Sequence, residues 1–361
     1  MIPVANRPII GHVIDSLVKN GIRDIIVVVG YRKEQVTRFL NQLDIPVQVV
    51  VQEKQLGTAH ALLQAEPYIT GDFLVLPGDN YIDAQSIARI KDRHNAMLVH
   101  EHLNPSNFGV VLVKEGNVES IEEKPAHAPS FIVSTGIYSL NADSFPYIND
   151  NNTMTDSIAG MINTGQRIQA VTAEDWQDAI YPWDILRMNE RLLRDLLSLR
   201  EGTTSRQTTI TGAVRIGKGT TIGPNTVITG PVVIGNNCTI SPNCCILPNT
   251  SIGSRVVIEP FTCIGNALIM DDTAIGSHSR IVETVIGERC VLGDHTSTST
   301  TEGFLEIEKC ATRSAFGAII GDNVKSCAFT IFRNCIVSNN VTIEGNCEIV
   351  SRIITDDALV I

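Results

Sequence analysis

Three short segments carry side chains that could handle a ligand: Gly30-Tyr31, the run Gln52 to Thr58, and Pro77-Gly78-Asp79. Each follows a strand-like apolar run, and in sheets built of alternating strands and helices ligands sit beyond the carboxyl ends of the strands. Gln52 offers an amide, Gly57-Thr58 a closely approachable backbone and a hydroxyl, and Asp79 a carboxylate. An aspartate in that position closes a turn or caps a helix as readily as it holds a ligand. Farther along, Glu122-Glu123-Lys124 reads as contact charge or as solvated surface. Asp184 opens a helix, where the dipole favours a carboxylate in any case. His278 and His295 are the histidines of the second half whose setting leaves open either a base or a surface corner. The nine cysteines include one close pair, Cys244-Cys245, and no C-x-x-C, which argues for packing over disulfides or metal.

The elements that must position these groups are legible in the first half. Ile9, Val13, Ile14, Leu17 and Val18 fall at helical spacing before Gly21, a left-handed stop. Ile25 to Val29 is an unbroken β-branched run, the pattern of a parallel strand buried on both faces. A helix is expected from Glu34 to Leu43, a strand over Val47 to Val51, a helix from Thr58 to Ala65, and a strand over Phe73 to Leu76. This alternation implies a sheet with helices on its faces. Trp183 to Arg200 reads as a Leu-rich helix with Pro182 at its start, and Glu201 to Gln207 as a polar linker. The domain boundary is accordingly placed to give 1–201 and 202–361.

The second half has a different period. Isoleucine stands at every sixth position from Ile210 to Ile264, and a smaller residue follows each of the first nine by four, among them Thr220, Val232, Cys238 and Cys244. Neither a helix nor a lone hairpin repeats at six. A left-handed parallel β-helix does, with three hexapeptides to a triangular coil, Ile inside and the small residue nearer a corner. The register slips after Ile264 and returns at Ile331. The polar stretch between Leu292 and Ile319 is expected to leave the coils as a loop. Cys238, Cys244, Cys290, Cys335 and Cys347 keep the small-residue phase, where a thiol is a compact apolar filler.

The composition narrows the function classes. The chain has 361 residues, 43% of them apolar, with 28 Lys and Arg against 39 Asp and Glu and a formal charge of −11. Without a basic run to track a phosphate backbone, a nucleic-acid partner is not expected. The longest apolar stretches are strand-length, short of the roughly 18 residues of a membrane helix, so no membrane partner is expected. The N-terminus lacks the pattern of an export signal, which makes the cytoplasm the expected compartment.

The order of an αβ domain, a linker and a hexapeptide β-helix resembles the sugar-1-phosphate nucleotidylyltransferases, in particular the archaeal-type bifunctional enzymes similar to N-acetylglucosamine-1-phosphate uridylyltransferase and the glucose-1-phosphate thymidylyltransferases. The motifs that carry the resemblance are residues 2–10, Gln52 to Ala61, Leu76-Pro-Gly78-Asp79, Phe108-Gly109-Val110, Glu122-Glu123-Lys124-Pro125, Ser134 to Tyr138, and Tyr181-Pro-Trp183-Asp184 through Asn189. The resemblance implies an α/β Rossmann-like nucleotidyltransferase domain followed by a left-handed β-helix. The implied reaction moves a nucleotidyl group from an NTP, UTP or dTTP, to glucose-1-phosphate or N-acetylglucosamine-1-phosphate and releases pyrophosphate. Asp79 would then ligate Mg²⁺, a hard cation suited to carboxylate and phosphate oxygens, with Asp184 or Asn189 completing the site. Gln52, Gly57 and Thr58 would meet the base, with Gly78 beside them at the Asp79 strand end. Gly109 would leave room for the sugar, Glu122 or Glu123 would accept from its hydroxyls, and Lys124 would bind its phosphate as a point charge. A homo-oligomer, a trimer, is also implied.

The match departs in two places. The family begins with a strand and a G-x-G-T-R loop ahead of the segment that opens this chain, so that roughly two dozen residues, with the backbone nest for the NTP phosphates, have no counterpart and the catalytic Arg and Lys stay unassigned. That strand is central in the family's sheet, and edges on both sides of it should stand open. A shortened form of a longer enzyme is favoured over a natural pseudo-enzyme, and a non-catalytic sugar-nucleotide-binding or scaffold subunit is the alternative function. In the β-helix, an acetyltransferase using acetyl-CoA would need a histidine base, for which His278 is the nearest candidate, displaced by one position. The family's Gly-Ala-Gly-Thr turn is here Gly293-Asp294-His295-Thr296.

Overall fold

The structure, a computed structural model, describes residues 1–150, 153–307 and 309–361. Its contacts divide the chain into two compact units, one formed by residues 9–178 with Met1, the other by residues 2–8 and 179–361. The division falls earlier than residue 201, for a reason that lies in one helix described below.

In the first unit α1 (Ile9–Lys19) buries Ile9, Val13, Ile14 and Leu17 on one face and stops where expected, with Gly21 at φ 81°. It is followed by β1 (Ile26–Val29), α2 (Lys33–Leu40), β2 (Gln48–Val51), α3 (Thr58–Ala65) and β3 (Asp72–Val75). Then come α4 (Ala84–Ile90), β4 (Ala96–Glu101), β5 (Gly109–Lys114), β6 (Asn117–Glu123), β7 (Ile132–Asn141), α5 (Met154–Asn163) and β8 (Gln169–Thr172). The strands form a six-stranded sheet of order β3-β7-β4-β8-β6-β5 and a separate parallel pair, β1 with β2. Alternation along β4 builds a core on each face. Ala96 and Leu98 join α1 and α4 on one side, while Met97 and Val99 join α3 and α5 on the other.

Because β1 pairs only with β2, and β3 only with β7, each has one open edge among the described residues. The expected burial of the first strand on both faces is accordingly met at Ile25 and Val29, while Ile26, Val27 and Val28 stay half-buried. A β-branched run needs neighbours on both sides to reach the interior of a parallel sheet.

The second unit is a left-handed parallel β-helix. Thr221, Thr239 and Val257 stack in one ladder at intervals of eighteen residues, three hexapeptides to a coil. From Val257 the next partners are Ala274 and Val291, seventeen residues apart, so coils one residue shorter account for the slip seen after Ile264. The isoleucines at 216, 222, 228, 234, 240, 246, 252, 258 and 264 are all at most 3% exposed. The small-residue phase is buried too, and its side chains do more than fill space. Thr220 Oγ1 donates to Gly235 O at 2.7 Å, and in the same role Cys238 Sγ donates to Gly253 O at 3.0 Å and Cys290 Sγ to Gly321 O at 3.1 Å. A thiol here replaces a threonine hydroxyl, satisfying a carbonyl of the next coil. Burial pushes the Cys290 thiol up to about 11, which keeps it protonated and able to donate.

Three sequence expectations change in this unit. The helix placed over 183–200 ends sooner, as α6 (Asp184–Leu193), and Leu199–Arg200 already pairs with Arg215–Ile216. The segment read as linker supplies Thr203–Thr204 to the ladder of Thr221–Ile222. Its backbone partners lie one coil away in sequence, so no local signal marks it. The excursion expected after Leu292 begins only after Thr298, which is still buried in the coil, and it is an antiparallel hairpin of Thr301–Ile307 with Cys310–Phe316.

Candidate functional site

The site of the first unit is organised by an irregularity in β7. Ser134 stands opposite Val99 of β4 and Tyr138 opposite Met97, so four steps along β7 match two along its partner. Such a bulge turns a strand and re-aims its side chains. Gly136, at its centre, has φ 74°, and a Cβ there would lie 3.0 Å from Pro77 Cγ. Glycine is thus required twice over at this position, by backbone conformation and by the approach of Pro77.

At that end of β7 lies Pro77-Gly78-Asp79, just past the carboxyl end of β3, with Gly78 facing Ile10 of α1. Gly78 and Asp79 are exposed, while Asn80 is 3% exposed, its Nδ2 donating to Thr135 O at 3.3 Å. Asn80 Oδ1 finds no hydrogen-bond partner among the described residues. A buried acceptor left unsatisfied costs free energy, and here it sits beside an exposed carboxylate. The oxygen chemistry suits a hard cation better than a soft one.

At the other end of the bulge a second cluster forms. Gly109 of β5 faces Glu123 of β6 in register, and Thr155 of α5 donates from Oγ1 to Glu123 Oε2 at 2.6 Å. Tyr138, 2% exposed, shares a 3.1 Å hydrogen bond with Ser134 Oγ. Burial, with the Glu123 charge adding to it, pushes the Tyr138 phenol up to about 12. The neutral phenol is what the fold prefers. Its contribution is complete below the ordinary value of 10.0 and lost as pH rises through about 12. In an ultraviolet titration the Tyr138 phenol should still be protonated at about pH 11, and Tyr138→Phe should remove that late step; an unchanged profile would overturn the assignment.

The other expected residues fall as follows. Glu122 and Lys124 are exposed, Lys124 with φ 43° and its N–H on Phe108 O at 2.9 Å. Gln52, 8% exposed, turns its amide nitrogen onto Gly57 O at 3.1 Å and His60 Nδ1 at 2.8 Å. Gly57 has φ 114°, and a Cβ there would meet nothing within 4 Å, so the start of α3 at Thr58 faces open space. Gln52, Gly57 and Thr58 thus cluster, Gly78 and Asp79 stand by the Ser134–Gly136 segment, and Gly109 and Glu123 meet Thr155. Asn80, Thr155 and Tyr138 are the residues that motif reading left without a role. Asn80 and Tyr138 lie within the quoted motifs or beside them, whereas Thr155 is placed by a helix remote in sequence.

Asp184 and Asn189 belong to the second unit. Asp184 Oδ2 accepts from Tyr181 N–H at 2.9 Å, opening α6, and Tyr181 stacks on Trp183, whose ring stacks in turn on Phe316. Asn189 is fully buried. Its Oδ1 accepts from Ala5 N–H at 2.9 Å and Ser251 Oγ at 2.6 Å, and its Nδ2 donates to Asn249 O at 2.9 Å. Both ends of the amide are engaged in seating α6 and the hairpin of Pro3–Val4 with Arg7–Pro8 on the coils. This seating is why α6 parts from the first unit. Among the described residues no three His, Cys, Asp or Glu side chains gather in one cluster.

His278 and His295 occupy a corner of the coils, both at φ 57°. They lie in a column of stacked rings, with Phe261 and His278 4.9 Å apart, His278 and His295 5.1 Å, and His295 and Phe329 4.5 Å. No helix among the described residues is long and apolar enough to cross a membrane.

Comparison with known proteins bears on both units. Residues 1–194 match the Nucleotidyl transferase family and residues 228–354 the GMPPB C-terminal domain. The Bifunctional protein GlmU of Methanococcus maripaludis is 35% identical over 379 residues, covering 100% of this chain and 91% of that protein. The UTP–glucose-1-phosphate uridylyltransferase AglF of Haloferax volcanii is 30% identical over 219 residues, 56% of this chain and 90% of its own length. A solved structure from Bacillus anthracis, described as a glucose-1-phosphate thymidylyltransferase, superposes with TM-score 0.50 at 24% identity over 55% of this chain and 87% of that one, a likeness of fold.

Proposed function

The chain belongs to the nucleotidyl transferase family, and from that premise we propose that it is a sugar-1-phosphate nucleotidylyltransferase, with UTP or dTTP and glucose-1-phosphate or N-acetylglucosamine-1-phosphate as substrates. A phosphate oxygen of the sugar phosphate attacks the α-phosphorus of the NTP, the bond to the β-phosphate oxygen breaks, and pyrophosphate leaves. Positioning and charge neutralisation dominate such a reaction. The observation that carries the reading is the β7 bulge, which has an exposed carboxylate and an unsatisfied buried oxygen at one end and a carboxylate ready for sugar hydroxyls at the other.

Asp79 fits a Mg²⁺ ion, which when bound would neutralise charge on the phosphates. Asp184 is proposed to open α6, where its carboxylate accepts from Tyr181 N–H, and Asn189 to seat that helix. Gln52, Gly57 and Thr58 are assigned to the base. Glu123, held by Thr155, accepts from the sugar hydroxyls, and Glu122 flanks it. Lys124 meets the sugar phosphate. Acetyl transfer would be a second activity of the coils, and the stacking of His278 between two rings favours a structural place for that residue.

Gly109 supplies a specific test. A Cβ on it would come within 3.2 Å of Thr155 Oγ1 and 3.4 Å of Glu123 Oε2, so alanine must push this pair aside. Gly109→Ala should raise KM for the sugar phosphate about tenfold with a smaller change in kcat. A fall in kcat alone would remove Glu123 from the sugar site. The activity itself is tested by pyrophosphate release across NTP and sugar-1-phosphate pairs, with calorimetric binding of the NDP-sugar in parallel. Neither release nor binding would overturn the reading. Binding without release would favour a non-catalytic, sugar-nucleotide-binding subunit.

A further inference from the structure

We propose that Cys245 and Cys263, on the outer face of the coils, form a two-coordinate site for a soft, thiophilic monovalent cation of the Cu(I) type. The two residues are directly opposed in adjacent parallel strands, Cys245 with Cys263 and Ile246 with Ile264. Both isoleucines are fully buried, so alternation turns both thiols outward, and both are half-exposed. They differ in this from Cys238, Cys244 and Cys290, which point inward and donate to carbonyls. The Cys245 thiol is pushed up by burial and by the neighbouring Cys263. The two thiols thus stand side by side on the outer face of one ladder as free cysteines.

The ladder selects the ligand. Neighbouring strands lie about 4.8 Å apart, and two metal–sulfur bonds of about 2.3 Å laid end to end span nearly that distance. A disulfide needs Cβ atoms about 3.8 Å apart, which would draw two stacked coils together. Zinc asks for four ligands, and no third His, Cys, Asp or Glu joins the pair among the described residues. A soft ion content with two thiolates remains, since thiolate donors select Cu(I). Binding replaces two S–H protons by one cation and leaves a net negative charge. Arg280, the next residue along the same ladder after Cys263, supplies an opposite charge for it.

The test is an anaerobic titration of the reduced full chain with Cu(I) against a chromophoric Cu(I) chelator, following thiolate-to-copper absorption. One equivalent should be retained per chain. Cys245→Ser and Cys263→Ser should each weaken retention by more than about 100-fold, beyond what losing an outer partner of a metal site produces. A Cys310→Ser, Cys327→Ser double variant, which removes the two exposed thiols elsewhere, should retain it. Retention unchanged in either single variant, or lost only in the double variant, overturns the site. Should a serine variant fail to fold, Cys245→Ala and Cys263→Val are measured in its place. Peptide mapping that finds the two sulfurs joined in the freshly purified protein also overturns it, in favour of a disulfide. None of these readouts depends on nucleotidyl transfer, so the site and the proposed activity stand or fall separately.

Discussion

Asp79→Asn should lower the rate of pyrophosphate release about a thousandfold and leave the melting temperature unchanged. The substitution keeps size and hydrogen-bonding shape and removes only the charge. Were Asp79 a turn or cap residue, asparagine would serve equally well in either place, and the rate would hold within about twofold. The side chain is exposed just beyond β3 and makes no hydrogen bond or ion pair among the described residues, so nothing structural there depends on its charge. On the proposed assignment, what depends on it is the stabilisation of charge on the transferred nucleotidyl group, where loss of one preorganised electrostatic contact costs about 10²–10³ in kcat. The measurement is initial-rate pyrophosphate release across a range of Mg²⁺ concentrations, beside thermal unfolding. A rate close to wild type would remove Asp79 from the metal site.

Asn189→Ala should do the reverse, lowering stability through the coil unit. It leaves Ala5 N–H, Ser251 Oγ and Asn249 O without the partner that each has now. Unsatisfied groups at a buried site cost about 1–3 kcal/mol each, partly relieved by water, so a loss of about 3 kcal/mol is expected. For a unit of this size that is a fall of about 6–12 °C in Tm. Asn189→Asp keeps the acceptor and loses the donor to Asn249, and should fall between. If Tm holds, the residue does not seat α6 on the coils.

These two residues mark what was legible in the sequence and what was not. The six-residue period could be read because each isoleucine points into a coil, so burial writes itself into the sequence one hexapeptide at a time. Helices α1 and α3 could be read for the same local reason, the first from the spacing of Ile9, Val13, Ile14 and Leu17 and its glycine stop. The end of α6 and the strand role of Thr203–Thr204 could not, because their hydrogen-bond partners are Arg215–Ile216 and Thr221–Ile222, a full coil away. The β7 bulge is likewise a property of two strands in register. Motif order drew attention to Glu123 and Asp79, yet Thr155, which holds Glu123, is placed by a helix remote in sequence, and the bond that fixes Asn80, next to Asp79, runs to Thr135 of another strand.

The shortening from eighteen to seventeen residues per turn leaves every backbone partner in the coil unit between adjacent turns. Such an arrangement is quasi-one-dimensional: each turn is stabilised by itself and by the two it touches. Damage therefore stays local. A cavity at Ile246 weakens the turns of Ile228 and Ile264 directly, while turns around Ile336 and Ile353 feel it only through the chain of neighbours between. Under tension the unit should unravel turn by turn, with many small steps in place of one rupture.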